Sequence, residues 1–145
     1  LLEHVRAALD GAADERTVRR ALLRAFDTEV RTRTGAGRAV AAAAERGPVG
    51  VLSNCSVPGL VPRTLDRSAL DPGRFDAVVA SVDVGWRKPH RRAFEAVVER
   101  LGGLLGDLLH VGDDPVADGG ATDAGARAVL LASVPLADLP EHLQG

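Results

Sequence analysis

Leu109-His-Val-Gly-Asp-Asp-Pro-Val-Ala-Asp-Gly-Gly-Ala-Thr-Asp-Ala-Gly125 is the stretch on which the reading of this chain turns. An apolar run from Leu108 to Val111 stops at Gly112 and delivers Asp113 and Asp114 onto a tight turn. A third carboxylate, Asp118, follows where the next helix is expected to start. Open α/β sheets present their ligand chemistry in this way, at the carboxyl ends of the strands. Two or three acids there suit a hard divalent cation such as Mg²⁺, which takes oxygen ligands and retains several waters. An acidic turn with an N-capping Asp explains the same residues without a metal, and taken alone it is the commoner explanation.

Working outward from that stretch, the pattern alternates between strand and helix. On the N-terminal side, Arg91 to Leu101 carries Phe94, Val97, Val98 and Leu101 at helical spacing, and Phe75 to Ser81 reads as a strand. That strand leads into a loop with Gly85, Trp86, Lys88 and Pro89. Further back lie a helix around Pro58 to Leu65, a strand from Val49 to Ser53, and an alanine-rich helix from Ala39 to Arg46 stopped by Gly47 and Pro48. On the C-terminal side a helix through Asp118 to Ala124 precedes a last strand, Ala128 to Leu131, and a short helix within Val134 to Leu143. Strands separated by helices of this size imply βαβ crossovers and a parallel sheet with helices on both faces. Residues 1–34 differ from the rest. Leu2, Val5 and Leu9 mark a first helix closed by Gly11, and Asp14 caps a second whose stripe is Val18, Leu22, Ala25 and Phe26. Gly35 reads as the hinge, giving two sections, 1–34 and 35–145.

Composition removes several function classes. At 145 residues, 46% apolar and 26% charged, the chain is one domain's worth of an ordinary globular protein, with no run of transmembrane length. A net charge of −2 leaves no electrostatic footprint for nucleic acid. One cysteine, Cys55, excludes an intrachain disulfide; with no signal-like N-terminus, the expected compartment is cytoplasmic. The chain holds no methionine and starts at Leu1, so it is not expected to be a complete translation product. Its only lysine is Lys88, in a chain that otherwise uses Arg, whose planar fork does not substitute for a compact ammonium.

Three predicted strand ends therefore carry polar groups: Ser53 with Asn54, Lys88 with Pro89, and Asp113, Asp114 and Asp118. Parallel strands bring such ends to one edge of the sheet. A hydroxyl with backbone N–H groups can bind phosphoryl oxygens, an ammonium can neutralise them, and carboxylates can hold Mg²⁺ against them.

This ordered set resembles the haloacid dehalogenase-like (HAD) hydrolase superfamily. Val-Leu-Ser-Asn at 51–54 is similar to its second motif, Ser-Val-Asp-Val-Gly-Trp-Arg-Lys-Pro at 81–89 to its third, and Val-Gly-Asp-Asp-Pro-Val-Ala-Asp at 111–118 to its fourth. The resemblance implies a Rossmann-like core in which Ser53, with Asn54 beside it, binds a phosphoryl group. It also implies that Lys88 steadies that group and the nucleophile, that Asp113 ligates Mg²⁺, and that Asp114 or Asp118 supports the metal. Residues 1–34 then form part of a helical cap. The family's first motif, a strand ending in Asp-x-Asp that supplies nucleophile and general acid/base, is not found. Asp27-Thr-Glu-Val is the nearest imitation, but it continues a helix. Without a carboxylate nucleophile the covalent route is closed, so this chain is expected to be inactive as it stands. In the family the first strand lies centrally, between those ending at Ser53 and at Asp113. Its loss leaves neighbours roughly 9 to 10 Å apart with unpaired edges. Three outcomes follow: a longer protein supplies the strand, a second chain supplies it, or the flanking strands close up and pair.

The expected parent activity is Mg²⁺-dependent hydrolysis of a small phosphorylated metabolite, with no nucleic-acid or membrane partner and with association into a homo-oligomer favoured by the exposed sheet edges. Carbon–halogen hydrolases of the same superfamily need no metal, and the Asp113–Asp114 pair argues against them, since two added acids would repel a carboxylate nucleophile unless a cation lay between. A non-catalytic phosphate- or partner-binding relative is the alternative that the missing nucleophile supports. A phosphoacceptor signalling domain places its acid pair first in the chain and is discarded. Of the remaining residues, His90 and Arg91 read as a helix start, His110 as a satisfied sheet residue and Cys55 as a small filler. Trp86 lines a pocket mouth or covers the core.

Overall fold

The computed structural model describes residues 1–10 and 12–144, so the expected stop at Gly11 lies outside the described residues. Among the described residues four short strands form: β1 (Gly50–Ser53), β2 (Ala77–Ala80), β3 (Leu109–Gly112) and β4 (Arg127–Leu130). All pairing is parallel, as the intervening helices require. β1 pairs with β2, Gly50 opposite Ala77 through Ser53 opposite Ala80, and β3 pairs with β4, Leu109 opposite Arg127 through Gly112 opposite Leu130. The strands make two separate two-stranded sheets, in keeping with a parallel sheet whose strand between β1 and β3 is missing. The outcome in which the flanking strands close up and pair is therefore not the one adopted. Among the described residues no backbone hydrogen bond joins β1 to β3.

The longest core helix, α6 (Arg91–Leu101), ties the two pairs together. The His90 side chain accepts from the Arg92 N–H to cap its start, and Gly102, at φ 72°, ends it in a left-handed conformation that glycine adopts without strain. Phe94, Val97 and Val98 are buried on its inner face. Val97 and Val98 pack on Ala77 and Val79 of β2, while Phe94 packs with Ala121, Ala124 and Ala126. Leu52 of β1, with Leu105 and Leu108, belongs to both clusters. Burial is inverted across the first pair: three of the four residues of β2 are buried, whereas every residue of β1 is only half-buried.

The opposite face of the second pair is covered by α3 (Ala36–Ala44) and α8 (Leu139–Gln144), whose Ala39 and Leu139 enclose Val129 with Leu109 and Val111. The two N-terminal helices, α1 (Leu2–Ala8) and α2 (Glu15–Phe26), pack on each other. Val18 and Leu22 of α2 reach Val57 and Leu60 beyond β1, Leu60 opening α4 (Leu60–Asp66). Asp14 caps α2 by accepting from the Thr17 N–H at 2.7 Å, as its position before the apolar stripe predicts.

Several expectations are corrected. Of the predicted apolar stripe of α2, Val18 and Leu22 are buried, whereas Ala25 and Phe26 are exposed, Phe26 at 48% as the last residue of the helix. Ser81 does not end a strand; it starts a single helical turn, α5 (Ser81–Val84), closed by Gly85. The helix expected from Asp118 shrinks to α7 (Ala121–Ala124), since residues 115–120 form turns around the carboxylate of Asp118. No helix among the described residues is long and apolar enough to cross a membrane.

Candidate functional site

The site is assembled where the chain leaves β1, follows α5 and leaves β3. Asn54, just past β1, spends its amide on the Lys88 backbone: Nδ2 donates to the Lys88 carbonyl at 2.9 Å and Oδ1 accepts the Lys88 N–H at 2.8 Å. A side-chain amide carries a donor and an acceptor side by side and so can meet both backbone groups of a single residue at once. It thereby fixes the loop that presents Lys88. Ser53 ends β1 half-buried, and the peptide bond between Lys88 and Pro89 is cis. The loop of Lys88 is also docked from the other side. A Cβ on Gly120 would collide with the Pro89 ring, so only glycine allows the segment after β3 to lie against it.

Asp118 is the hub. It is only 4% exposed, and it accepts three hydrogen bonds. Lys88 Nζ donates to Oδ1 at 2.5 Å, His110 Nε2 lies 2.8 Å from the same oxygen, and the Asp114 N–H donates to Oδ2 at 2.9 Å. Gly112 makes this geometry reachable, because a side chain there would occupy the volume of the Asp118 carboxylate. Burial pushes the Asp118 carboxyl up. The hydrogen bonds from Lys88, His110 and the Asp114 backbone outweigh it and hold the group well below the usual carboxylate range. Burial also lowers His110, against the opposing pull of Asp118, so the imidazole favours its neutral form with Nε2–H donating to the carboxylate. His110 sits on β3 with its ring edge-on to Phe94, centroids 5.3 Å apart. A buried pair whose polar atoms each have a partner can persist inside a protein, and among the described residues no buried side-chain N or O is left without one. An ammonium has three donors, and Asp118 takes one of those on Lys88.

The other two acids face different partners. Asp113 is exposed and its Oδ2 accepts from the Arg33 guanidinium at 2.7 Å, while Asp114 Oδ1 accepts the N–H groups of Val116 and Ala117, both at 2.8 Å. Asp114 therefore caps a turn, the commoner role foreseen for an acid at this position. With Asp118 enclosed by Lys88, His110 and a backbone amide, the three carboxylates do not turn toward a common point. Among the described residues no group of three or more His, Cys, Asp or Glu side chains could hold a metal. The donor set of this chain by itself does not fit a resident Mg²⁺, which demands near-octahedral oxygen ligation.

Lys88, Asn54, Asp114 and Asp118 are thus brought together, with Ser53 at the same strand end and Asp113 at the rim. Sequence reading missed Arg33 and the part played by His110. The signal for His110 was period two along β3: Leu109 and Val111 pack toward α3 and α8, which turns His110 to the α6 face beside Phe94. Arg33 lies 80 positions from its partner and had no local signal. Asp27, the nearest imitation of a missing motif, is the residue after α2, held by Arg63 at 2.5 Å and by Arg67; those hydrogen bonds lower its carboxyl. Cys55 Sγ donates to the Val57 carbonyl at 3.5 Å, and Trp86 is 37% exposed, stacked on His90 with centroids 4.3 Å apart and covered by Arg92.

Comparison with known proteins follows this geometry. The family model for haloacid dehalogenase-like hydrolases matches residues 2–125. No curated protein matches the chain. Among solved structures, a 2-haloacid dehalogenase from Pseudomonas syringae pv. Tomato aligns over 93% of this chain and 65% of its own, at 21% identity and TM-score 0.68. A HAD phosphatase from Thermococcus onnurineus aligns over 68% of this chain and 46% of its own, at 27% identity and TM-score 0.61. A mutant HAD family enzyme from Bacteroides thetaiotaomicron, in complex with magnesium and inorganic phosphate, aligns over 87% and 65%, at 14% identity and TM-score 0.60. The chain thus spans less than two thirds of each of these three structures. With the family model covering most of its length and the α/β architecture shared, this chain belongs to the haloacid dehalogenase-like hydrolases.

Proposed function

We propose that this chain carries the phosphate-facing part of a Mg²⁺-dependent phosphomonoester hydrolase, and that residues 1–145 alone do not turn over substrate. The observation that carries the reading is the buried Lys88–Asp118 pair held beside the end of β1 by Asn54. An ammonium fixed by a carboxylate whose own charge is secured by two further donors is a preorganised anchor for an anion, and preorganised charge is worth most where water is excluded. Lys88 has two donors beyond the one given to Asp118, and Ser53 offers a hydroxyl at the neighbouring strand end. The absence of an Asp-x-Asp strand end from the sequence supports inactivity of this chain, since no carboxylate nucleophile is in place. The metal dependence belongs to a polypeptide that adds the missing carboxylates. The substrate class proposed is a small phosphorylated metabolite, in the cytoplasm, with residues 1–34 as part of a cap over the core section 35–145.

The test compares the longest natural protein containing these residues with residues 1–145 alone. Hydrolysis of p-nitrophenyl phosphate and halide release from 2-chloropropionate are each followed with added Mg²⁺ and with chelator. Mg²⁺-dependent phosphate release by the longer protein only is the expected result. Halide release in chelator would instead assign a dehalogenase. Phosphate-analogue binding with neither activity would assign a non-catalytic relative, the reading favoured by the engagement of Asp113 with Arg33.

A further inference from the structure

The segment that joins the N-terminal helices to the core, residues 27–35, is neither helix nor strand, yet it is pinned along its length. Asp27 is held by Arg63 of α4 and by Arg67 at its end, and the Thr28 carbonyl accepts from Arg67 at 3.1 Å. Thr32 Oγ1 accepts the Ala69 N–H at 2.8 Å. A Cβ on Gly35, at φ 85°, would come within 2.8 Å of the Ala137 backbone nitrogen, so the segment lies directly against the chain before α8. Arg33 stands between these last two anchors, and its own carbonyl accepts the Ala36 N–H at 3.1 Å. Its backbone is thus fixed on both sides, while its side chain crosses to the carboxyl end of β3.

Arg33 reaches Asp113 with one nitrogen only, Nη2 donating to Oδ2 at 2.7 Å. A guanidinium carries five N–H donors on a planar fork and holds a carboxylate best through two of them. Among the described residues no other acceptor meets this guanidinium, and the side chain is 62% exposed. Whichever Nη2 hydrogen Asp113 takes, one two-pronged edge of the fork stays open. The site cation lies close by. Next along the chain, the Asp114 N–H donates to Asp118 Oδ2 at 2.9 Å, and Lys88 Nζ donates to Asp118 Oδ1 at 2.5 Å. That run of contacts keeps Arg33 Nη2 and Lys88 Nζ at most about 15 Å apart, within the span of one small molecule. Each cation has one acid as counter-charge and donors left over.

We propose that Arg33 is a specificity-determining residue, which takes a carboxylate of the ligand while Lys88 takes its phosphoryl group. The substrate class is then a phosphomonoester bearing a carboxylate at its far end, in place of a neutral alcohol or sugar phosphate. The assignment rests on the phosphate-facing role proposed for Lys88. Asp113 keeps its bond to Nη2, and the ligand carboxylate occupies the open edge of the fork. A carboxylate brings one negative charge to a rim where Asp113 already stands, whereas a second phosphate monoester brings nearly two. Because the backbone at Arg33 is pinned before the ligand arrives, little ordering cost is left for binding.

The experiment measures, by calorimetry on the longest natural protein containing these residues, the binding of ω-phosphonoalkanoates of increasing chain length, each beside its carboxyl methyl ester. The phosphonate is not hydrolysed, and acid and ester differ in charge far more than in size. At one or more chain lengths the acid is expected to bind at least about tenfold more tightly than its ester, as a hydrogen bond to a charged group provides. Arg33→Ala should bring that ratio close to one. The variant folds, because the pair it breaks is exposed. A ratio near one at every chain length, or a ratio that survives Arg33→Ala, overturns the proposal. Tighter Arg33-dependent binding of an α,ω-bisphosphonate than of the acid overturns the choice of a carboxylate. Hydrolysis of p-nitrophenyl phosphate by the same preparations judges the hydrolase reading separately. Mg²⁺-dependent turnover without an Arg33-dependent ratio overturns this assignment alone, and an Arg33-dependent ratio without turnover overturns the hydrolase reading alone.

Discussion

Asp118→Asn keeps the shape of the hub and removes its charge, so its effect reports how far the site depends on one carboxylate. Three donors converge on two oxygens: Lys88 Nζ and His110 Nε2 on Oδ1, the Asp114 N–H on Oδ2. An amide offers one oxygen and one NH₂. If its oxygen stays with Lys88 and His110, the Asp114 N–H faces a donor; if it turns, the ammonium and the imidazole do. Either way a buried cation, 11% exposed at its side chain, loses its counter-charge. Breaking a buried pair from one side costs roughly 3 to 5 kcal/mol. For a domain of this size that is a fall in Tm of roughly 6 to 20 °C. The pH profile gives a second readout. Burial keeps His110 less protonated folded than unfolded, so its contribution is full above its ordinary value of 6.5 and declines as pH falls below it. Asp118 is held below its ordinary value of 3.8, so its contribution is present above that value and is lost as pH falls through the lower folded one. The parent chain should therefore lose stability in two stages from pH 6.5 downward, and Asp118→Asn should lack the second. Urea denaturation across pH measures both. A loss under about 1 kcal/mol with an unchanged acid limb would refute the hub.

Further perturbations separate the supports of the site. Asn54→Ala removes two hydrogen bonds to the Lys88 backbone and should cost about 2 to 3 kcal/mol by urea denaturation, because the freed backbone groups are partly buried. Gly120→Ala forces a Cβ against Pro89 and should destabilise by about 1 to 3 kcal/mol; a neutral result would mean the two loops separate freely. Arg33→Ala breaks an ion pair whose side chains are 62% and 59% exposed, so less than about 1 kcal/mol should be lost, and the difference from the parent chain should vanish in high salt.

The strands and principal helices were legible because their signals are local. The α6 stripe, its glycine stop and the Asp14 cap depend on spacing and on residues that satisfy helix ends, and all three recur in the fold. The short turns were less legible. Nothing within Asp118 to Ala124 announces that the carboxylate of Asp118 folds back over Gly112, since that contact rests on the missing Cβ of a residue in β3. The same holds for the acids as a group. Their spacing at a strand end pointed to shared chemistry, yet Asp113, Asp114 and Asp118 are divided among a guanidinium, two turn amides and a buried ammonium.

By itself the sequence determined the parallel α/β class, the order of the three polar strand ends and the absence of an Asp-x-Asp strand, because periodicity, caps and motif order are carried by neighbouring residues. Only the tertiary structure decided that the sheet stays divided between β1 and β3, that His110 and Arg33 join the site, and which carboxylate is buried. Those outcomes depend on which groups distant in the chain reach each other's polar atoms, and a buried charge or an unpaired strand edge is settled by the partners that three-dimensional packing supplies.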